Sequence, residues 1–387
     1  MKSAETAPTL APDAPTSFGP VSVSREVAQA LHVMGYQEPT PVQVQCIPLM
    51  NANQDVVAQA RTGTGKTASF GIPIVEKVDT ALKKVQAIVL APTRELAVQV
   101  KDELQRLGQY KGVGVLACYG GQPIGPQITA LNAGAHVVVG TPGRVLDHLH
   151  RRTLSLAEVR TAVLDEADEM LDIGFLPDIE RILRQTPRER QTALFSATMH
   201  AAVRGIVHRH LRSPSWVRIG EELQTAPKVQ QVYYEVWDKD KVRGLAGLLH
   251  QDLNGGKALL FLRTQAGVDH LVRSLQRHDV RVAGIHGGMT QPQRSSVMRS
   301  FKEGKLKVLA ATNVAARGLD IPEVSHVVNY DMPQNMEEYV HRIGRTARME
   351  ADGTAITFVT EWDIDMLDTL IDTVGNDLER GTLPIYD

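Results

Sequence analysis

The run Ala60-Arg61-Thr62-Gly63-Thr64-Gly65-Lys66-Thr67 has the make-up of a phosphate-binding turn. Small residues let the backbone curl until its N–H groups converge on phosphate oxygens, and a helix starting there adds the positive end of its dipole. Lys66 would bring charge to the β- and γ-phosphates and Thr67 a hydroxyl to Mg2+. The strict glycine-to-GK[ST] pattern fails at its first position, which is Ala60, and a purely structural glycine turn is the alternative. About a hundred residues later, Asp165-Glu166-Ala167-Asp168 follows the apolar run Ala162–Leu164. Asp165 at a strand tip suits a metal held largely through water, and Glu166 beside it suits the orientation or deprotonation of an attacking water. Acids that merely cap a helix N-terminus are the plain alternative. Gln43 carries a third signal, because one amide can pair with both N6 and N7 of adenine. Phe18 offers a ring to stack on that base, and Tyr36 opens the segment leading to Gln43. Taken singly, Gln43 reads as a surface amide and Phe18 as a core residue.

These residues need strands that deliver them to one edge. Short apolar runs alternate with amphipathic helical stretches at Val56–Ala60, Ala87–Ala91, Val113–Cys118, His136–Gly140, Ala162–Asp165 and Thr192–Ser196. A second series follows at Val229–Val236, Ala258–Leu262, Arg281–His286, Lys307–Ala311, His326–Tyr330 and Ala355–Val359. Continuous apolar strands separated by helices predict an α/β fold, with two mainly parallel sheets covered by helices on both faces. The expected organisation is a disordered leader over 1–17, a first domain over 18–218, a linker over 219–227, a second domain over 228–377 and a tail over 378–387.

Composition agrees with a globular chain of two or three domains: 387 residues, 43% hydrophobic and 22% charged. No apolar run approaches the roughly 18 residues of a membrane span, and the N-terminus lacks the apolar core of a signal peptide, so the expected location is cytoplasmic. Cys46 and Cys118 are isolated and read as reduced core thiols. The net charge of −2 conceals an asymmetry, since residues 361–387 hold eight acids and one base and the preceding 360 residues therefore carry +5. A mildly basic body can hold a local phosphate track, but any grip on nucleic acid must come from the folded core.

From about Phe18 to Val359 the chain resembles the DEAD-box RNA helicases, with motifs in that family's order. They are Ala60–Thr67, Pro92-Thr93-Arg94-Glu95-Leu96-Ala97, Gly120-Gly121, Thr141-Pro142-Gly143-Arg144, Asp165–Asp168 and Ser196-Ala197-Thr198 in the first half. The second half has Leu259–Thr264, Gln291-Pro292-Gln293-Arg294, Ala311–Asp320 and His341–Arg348. The resemblance implies two RecA-like domains that close over ATP and one RNA strand. It implies catalytic roles for Lys66, Asp165, Glu166 and the arginine fingers Arg345 and Arg348. Phe18, Tyr36, Gln43, Thr62, Gly63, Thr64, Gly65, Lys66, Thr67, Gly318 and Asp320 would bind the nucleotide, with Mg2+ at Thr67 and Asp165. Asp168, Ser196, Thr198 and His341 would couple the domains.

RNA would meet Pro92, Thr93, Arg94, Gly121, Thr141, Gly143 and Arg144 in the first domain and Arg263, Thr264, Gln291, Arg294 and Thr312 in the second. Phosphate and 2′-hydroxyl contacts through such residues bind a strand without reading its sequence. Three positions depart from the family's commonest pattern: Asn313 where Asp is frequent, and Ala347 and Glu350 where Gly is. All three spare the residues with assigned chemistry. The expected protein is an RNA-dependent ATPase that separates short duplexes, a monomeric core with ribonucleoprotein or ribosome-assembly partners. It ends soon after Glu361–Val374, so it reads as a minimal helicase or as one lacking a targeting tail. A DNA translocase on the same fold and a slowly hydrolysing RNA clamp are the rivals. Adenylate kinase-like or GTPase chemistry has no use for Gln43 or the Arg345/Arg348 pair.

Overall fold

The computed structural model describes residues 16–60, 63–219, 229–253, 256–316, 324–346 and 353–383. The chain divides into two compact units, Met1–Glu222 and Leu223–Asp387. The first unit opens with an antiparallel hairpin, β1 (Ser17–Phe18) and β2 (Val21–Ser22). Seven further strands follow: β3 (Val56–Gln59), β4 (Ala87–Leu90), β5 (Val115–Cys118), β6 (Val137–Gly140), β7 (Thr161–Leu164), β8 (Gln191–Ser196) and β9 (Ser215–Arg218). They form one parallel sheet in the order β5-β6-β4-β7-β8-β3-β9. The second unit has β10 (Val229–Glu235), β11 (Ala258–Leu262), β12 (Val282–Ile285), β13 (Val308–Thr312), β14 (His326–Asn329), β15 (Gly353–Val359) and β16 (Leu378–Arg380). Its sheet is also parallel, in the order β12-β13-β11-β14-β15-β10-β16.

Alternation within the strands explains why each sheet is covered on both faces. Val56 and Ala58 of β3 face one core with Phe70, whereas Val57 faces another with Ile179. In β11, Ala258, Leu260 and Leu262 serve one core, and Leu259 and Phe261 the other. Side chains two apart share a face, so a strand buried on both sides is apolar at most of its positions. The phosphate-loop helix Lys66–Lys77 is held by the same logic: its Phe70 is fully buried and meets Phe195 of β8 edge-on, with ring centroids 5.1 Å apart.

The apolar-run pattern finds the central strands within a residue or two and misses two edge strands. Ser215–Arg218 pairs with β3, although its stretch reads as polar and proline-interrupted. Leu378–Arg380 pairs with β10, inside the segment read as a tail. Edge strands are short and bury one face at most, so they lack the signature of a central strand. Ser17, placed by the sequence in the leader, is the first residue of β1. Among the described residues, no helix is long and apolar enough to cross a membrane.

Candidate functional site

In parallel sheets the loops leaving the C-terminal ends of the strands gather along one edge, and ligands bind there. Beyond β3 the chain turns through Gly63 (φ 83°) and Gly65 (φ 89°), left-handed conformations that favour glycine, and then enters the helix Lys66–Lys77. The Lys66 ammonium is buried and donates to the Ala60 carbonyl at 3.0 Å, lying back across the turn it would serve. Gly65 also admits Gln43: a Cβ at Gly65 would stand 2.5 Å from Gln43 Nε2, which donates to the Gly65 carbonyl at 3.1 Å. Gln43 Oε1 accepts from the Thr40 N–H at 2.9 Å. The amide thus braces the loop while keeping one hydrogen and one lone pair for another partner. Thr62 lies outside the described residues. Left-handed glycines, a buried ammonium and a helix start make a donor set fitted to a phosphate chain.

Asp165 follows β7 and is buried; burial pushes its carboxyl above the usual range, against the pull of Lys66. Glu166 has φ 50° and ψ 56°, a left-handed conformation that a non-glycine residue adopts at a cost of about 1–3 kcal/mol. This kink places both acids at the strand end before the helix Ala167–Asp172 begins. Asp168 is tied to the loop after β8. Its Oδ2 accepts from the Ala197 N–H (3.1 Å), the Thr198 N–H (2.8 Å) and the Thr198 hydroxyl (3.1 Å). Its own N–H donates to Ser196 Oγ at 3.3 Å, and that hydroxyl donates to the Thr198 carbonyl at 2.7 Å. Asp168 Oδ1 is buried without a hydrogen-bond partner among the described residues. The acid tetrapeptide and Ser196-Ala197-Thr198 are therefore joined in one hydrogen-bonded network.

Phe18 is buried and meets Tyr36 edge-on at 6.0 Å. The Tyr36 hydroxyl donates to Glu103 Oε1 at 2.9 Å. Burial raises the Glu103 carboxyl, with the Tyr36 hydrogen bond pulling the other way. Sequence reasoning misses Glu103, because one acid in an amphipathic helix looks like any solvated position.

The polynucleotide candidates of the first unit lie beyond β4, β5 and β6, neighbours in the sheet. Pro92 is buried, and Thr93 caps the helix Arg94–Leu107 by accepting from the Leu96 N–H at 3.2 Å. Arg94 lies directly over Gly121, where a Cβ would come within 2.0 Å of its guanidinium. Arg144 donates to the Gln122 carbonyl at 3.0 Å. Thr141 stands before the helix Pro142–His150, and Gly143 faces open space. Arg94, Gly121 and Arg144 are thus brought to one loop cluster.

In the second unit the same arrangement recurs beyond β11, β12 and β13, again neighbours. Arg263 is exposed, its N–H donating to Asp331 Oδ2 at 2.8 Å, and Thr264 caps the helix Gln265–Gln276. Gln291 opens the helix Gln291–Lys302 with a buried Oε1 that has no partner among the described residues. Arg294 is buried one turn later, and Thr312 ends β13. His341 and Arg345 line one pocket with Phe261 and Asn313, and the Arg345 N–H donates to the Arg342 carbonyl at 3.1 Å. Gly318, Asp320, Ala347, Arg348 and Glu350 lie outside the described residues. Among the described residues no cluster of His, Cys, Asp and Glu forms a ready metal cage.

Comparison with known proteins gives these geometries a family. Residues 40–206 match the DEAD/DEAH box helicase model and residues 240–350 the helicase conserved C-terminal domain. The chain is 50% identical over 373 residues to the DEAD-box ATP-dependent RNA helicase CshA of Geobacillus kaustophilus, covering 96% of this chain and 79% of that protein. With CshA of Bacillus subtilis the identity is 48% over 372 residues, 96% and 75% of the two chains. Among solved structures, Saccharomyces cerevisiae Dbp5 bound to RNA and ADP BeF3 superposes with a TM-score of 0.84 at 32% identity, covering 94% and 95% of the two chains. A DEAD box protein from Methanococcus jannaschii is 38% identical, with a TM-score of 0.52 and coverage of 93% and 97%. With two RecA-like sheets carrying that family's motifs in order, this chain belongs to the DEAD-box ATP-dependent RNA helicases.

Proposed function

We propose that the protein is an RNA-dependent ATPase that holds single-stranded RNA without reading its sequence and locally separates short duplexes. One observation carries the reading. In the first unit the phosphate-loop and acidic residues leave β3, β7 and β8, while the polynucleotide candidates leave β4, β5 and β6, so β7 and β4 seat the two sets side by side on one sheet edge. Lys66, with Gly63 to Thr67, binds the triphosphate, and Gln43 presents its remaining hydrogen and lone pair to adenine. Phe18 and Tyr36 close that side. Thr67 and Asp165 suit Mg2+ held largely through water, which would shield phosphate charge. Glu166 orients the attacking water and takes its proton. Arg345 and Arg348 supply positive charge where the transition state develops negative charge, and Thr62, Gly318 and Asp320 complete the nucleotide contacts.

Asp168, Ser196, Thr198 and His341 couple hydrolysis to RNA binding. Pro92, Thr93, Arg94, Gly121, Thr141, Gly143 and Arg144, with Arg263, Thr264, Gln291, Arg294 and Thr312, grip phosphates and 2′-hydroxyls. We place this work in the cytoplasm, on ribonucleoprotein or ribosome-assembly substrates, with a monomer as the acting form.

The deciding measurement is ATP hydrolysis with and without single-stranded RNA, a DNA of matched sequence and the Glu166→Gln variant serving as controls. Stimulation by RNA alone, with turnover in the variant down by about a thousandfold and ATP still bound, is the expected result. Equal stimulation by DNA would favour a DNA translocase. A variant that hydrolyses normally would remove Glu166 from the chemistry.

A further inference from the structure

Asn313 departs from the family's common Asp at its position, and its surroundings give the departure a purpose. Arg342, on the helix Met336–Ile343, is 3% exposed. Its Nε donates to Asn313 Oδ1 at 2.9 Å, while one terminal nitrogen donates to Asn329 Oδ1 (3.1 Å) and the Asp331 carbonyl (2.7 Å). The other pairs with Glu338, one turn earlier on the helix and itself buried. The guanidinium also stands over the Phe261 ring, 5.2 Å from its centroid. Glu338 Oε1 accepts from Asn313 Nδ2, and its Oε2 accepts from the Gln334 N–H at 3.1 Å. The three side chains close a triangle. Arg342 is the cation, Glu338 the anion, and Asn313 the neutral third corner, accepting from one and donating to the other.

A buried cation needs one counter-charge, and a second carboxylate at 313 would keep the Arg342 Nε but lose the donor that now meets Glu338. An Asp at 313 would set an oxygen against Glu338 Oε1 where a donor now stands. The triangle also bears on the proposed RNA and phosphate residues: Thr312 directly precedes Asn313, Arg263 is held by Asp331, and Arg345 bonds the Arg342 carbonyl. We propose that Glu338 is the counter-ion of Arg342 and, with Asn313, a positioning pair that sets Thr312, Arg263 and Arg345. Asparagine at 313 then fits because the carboxylate of this cluster stands at 338. This rests on the RNA-dependent ATPase reading.

The test is a four-corner cycle of the wild type, Asn313→Asp, Glu338→Gln and the double variant. Asn313→Asp restores the family's common residue, yet it should lower RNA-stimulated kcat and raise the RNA concentration for half-stimulation, each by about tenfold. Glu338→Gln leaves Arg342 without its counter-charge and should do the same. The double variant moves the carboxylate to the opposite corner with almost no change in shape and should return to within about threefold of wild type. ATP affinity without RNA should stay unchanged throughout, which a general loss of folding would not permit. Thermal unfolding midpoints of the four proteins should show the same reciprocal rescue. A fully active Asn313→Asp, or a double variant no better than the worse single one, overturns the proposal. Absence of RNA stimulation in the wild type overturns the ATPase reading instead, and the unfolding cycle still decides the pairing of 313 with 338.

Discussion

The two units share one sheet plan, but one buried charged cluster in each is met in the opposite way. In the first, Asp165 and Asp168 are buried at the ligand edge, and Asp168 Oδ1 has no partner among the described residues. Lys66 reaches only as far as a backbone carbonyl in the hydrogen bonds described above. In the second, Arg342 is met by Asn313, Asn329, the Asp331 carbonyl and Glu338. Leaving buried polar groups incompletely met costs stability and pre-forms a site for something else, whereas saturating them fixes loop positions without a ligand. The acidic cluster of the first unit is built as a receptor and the Arg342 cluster of the second as a brace.

The comparison breaks most visibly if the receptor does not rest on its own core. Phe70→Ala empties a fully buried site on the phosphate-loop helix, facing Phe195. It should destabilise the first unit by about 3–5 kcal/mol while leaving the second unit's transition in place. Calorimetry on the full chain would show two separated transitions, and a concerted shift of both would mean that the units unfold as one. Gly65→Ala sharpens the comparison at the loop, where a Cβ meets Gln43 Nε2 and the left-handed backbone adds about 1–2 kcal/mol of strain. ATP affinity should fall by tenfold or more, read by fluorescent-nucleotide titration, with RNA binding in the absence of ATP nearly unchanged.

A smaller effect follows from acid. Burial lowers the pKa of His136, His148 and His210 in the first unit. The unfolded chain then binds more protons than the folded one from the ordinary histidine value of about 6.5 downward, so stability falls as the pH drops through that window. Melting curves from pH 7 to pH 5 should show the first unit's midpoint falling, and one that rises would reverse the sign. Least of all, Cys46 and Cys118 are buried thiols whose pKa is pushed up to about 12, so iodoacetamide at pH 8 should label the native protein far more slowly than the unfolded one.

Much of this was legible in the residues. The strands at Val56, Ala87, Ala162 and Ala258 announce themselves because a sheet covered on both faces favours continuous apolar runs. The phosphate loop is legible because glycine at φ near 85° has few substitutes. Contacts between distant residues of ordinary type were not. Gln43 could be read as an adenine partner but not as a brace on Gly65, and Glu103 and Glu338 look like surface acids until the fold buries them. The Asn313 departure was visible, but its compensation 25 residues away was a matter of packing.

The helix Arg94–Leu107 has a consequence of its own. Thr93 and Arg94 stand at its start among the polynucleotide candidates, while Glu103, nine residues on, accepts from the Tyr36 hydroxyl. Nine residues of helix make a strut about 14 Å long that resists bending. A displacement at Tyr36 would therefore reach Arg94 as a tilt of one solid rod, a lever between the nucleotide side and the RNA side proposed for the first unit.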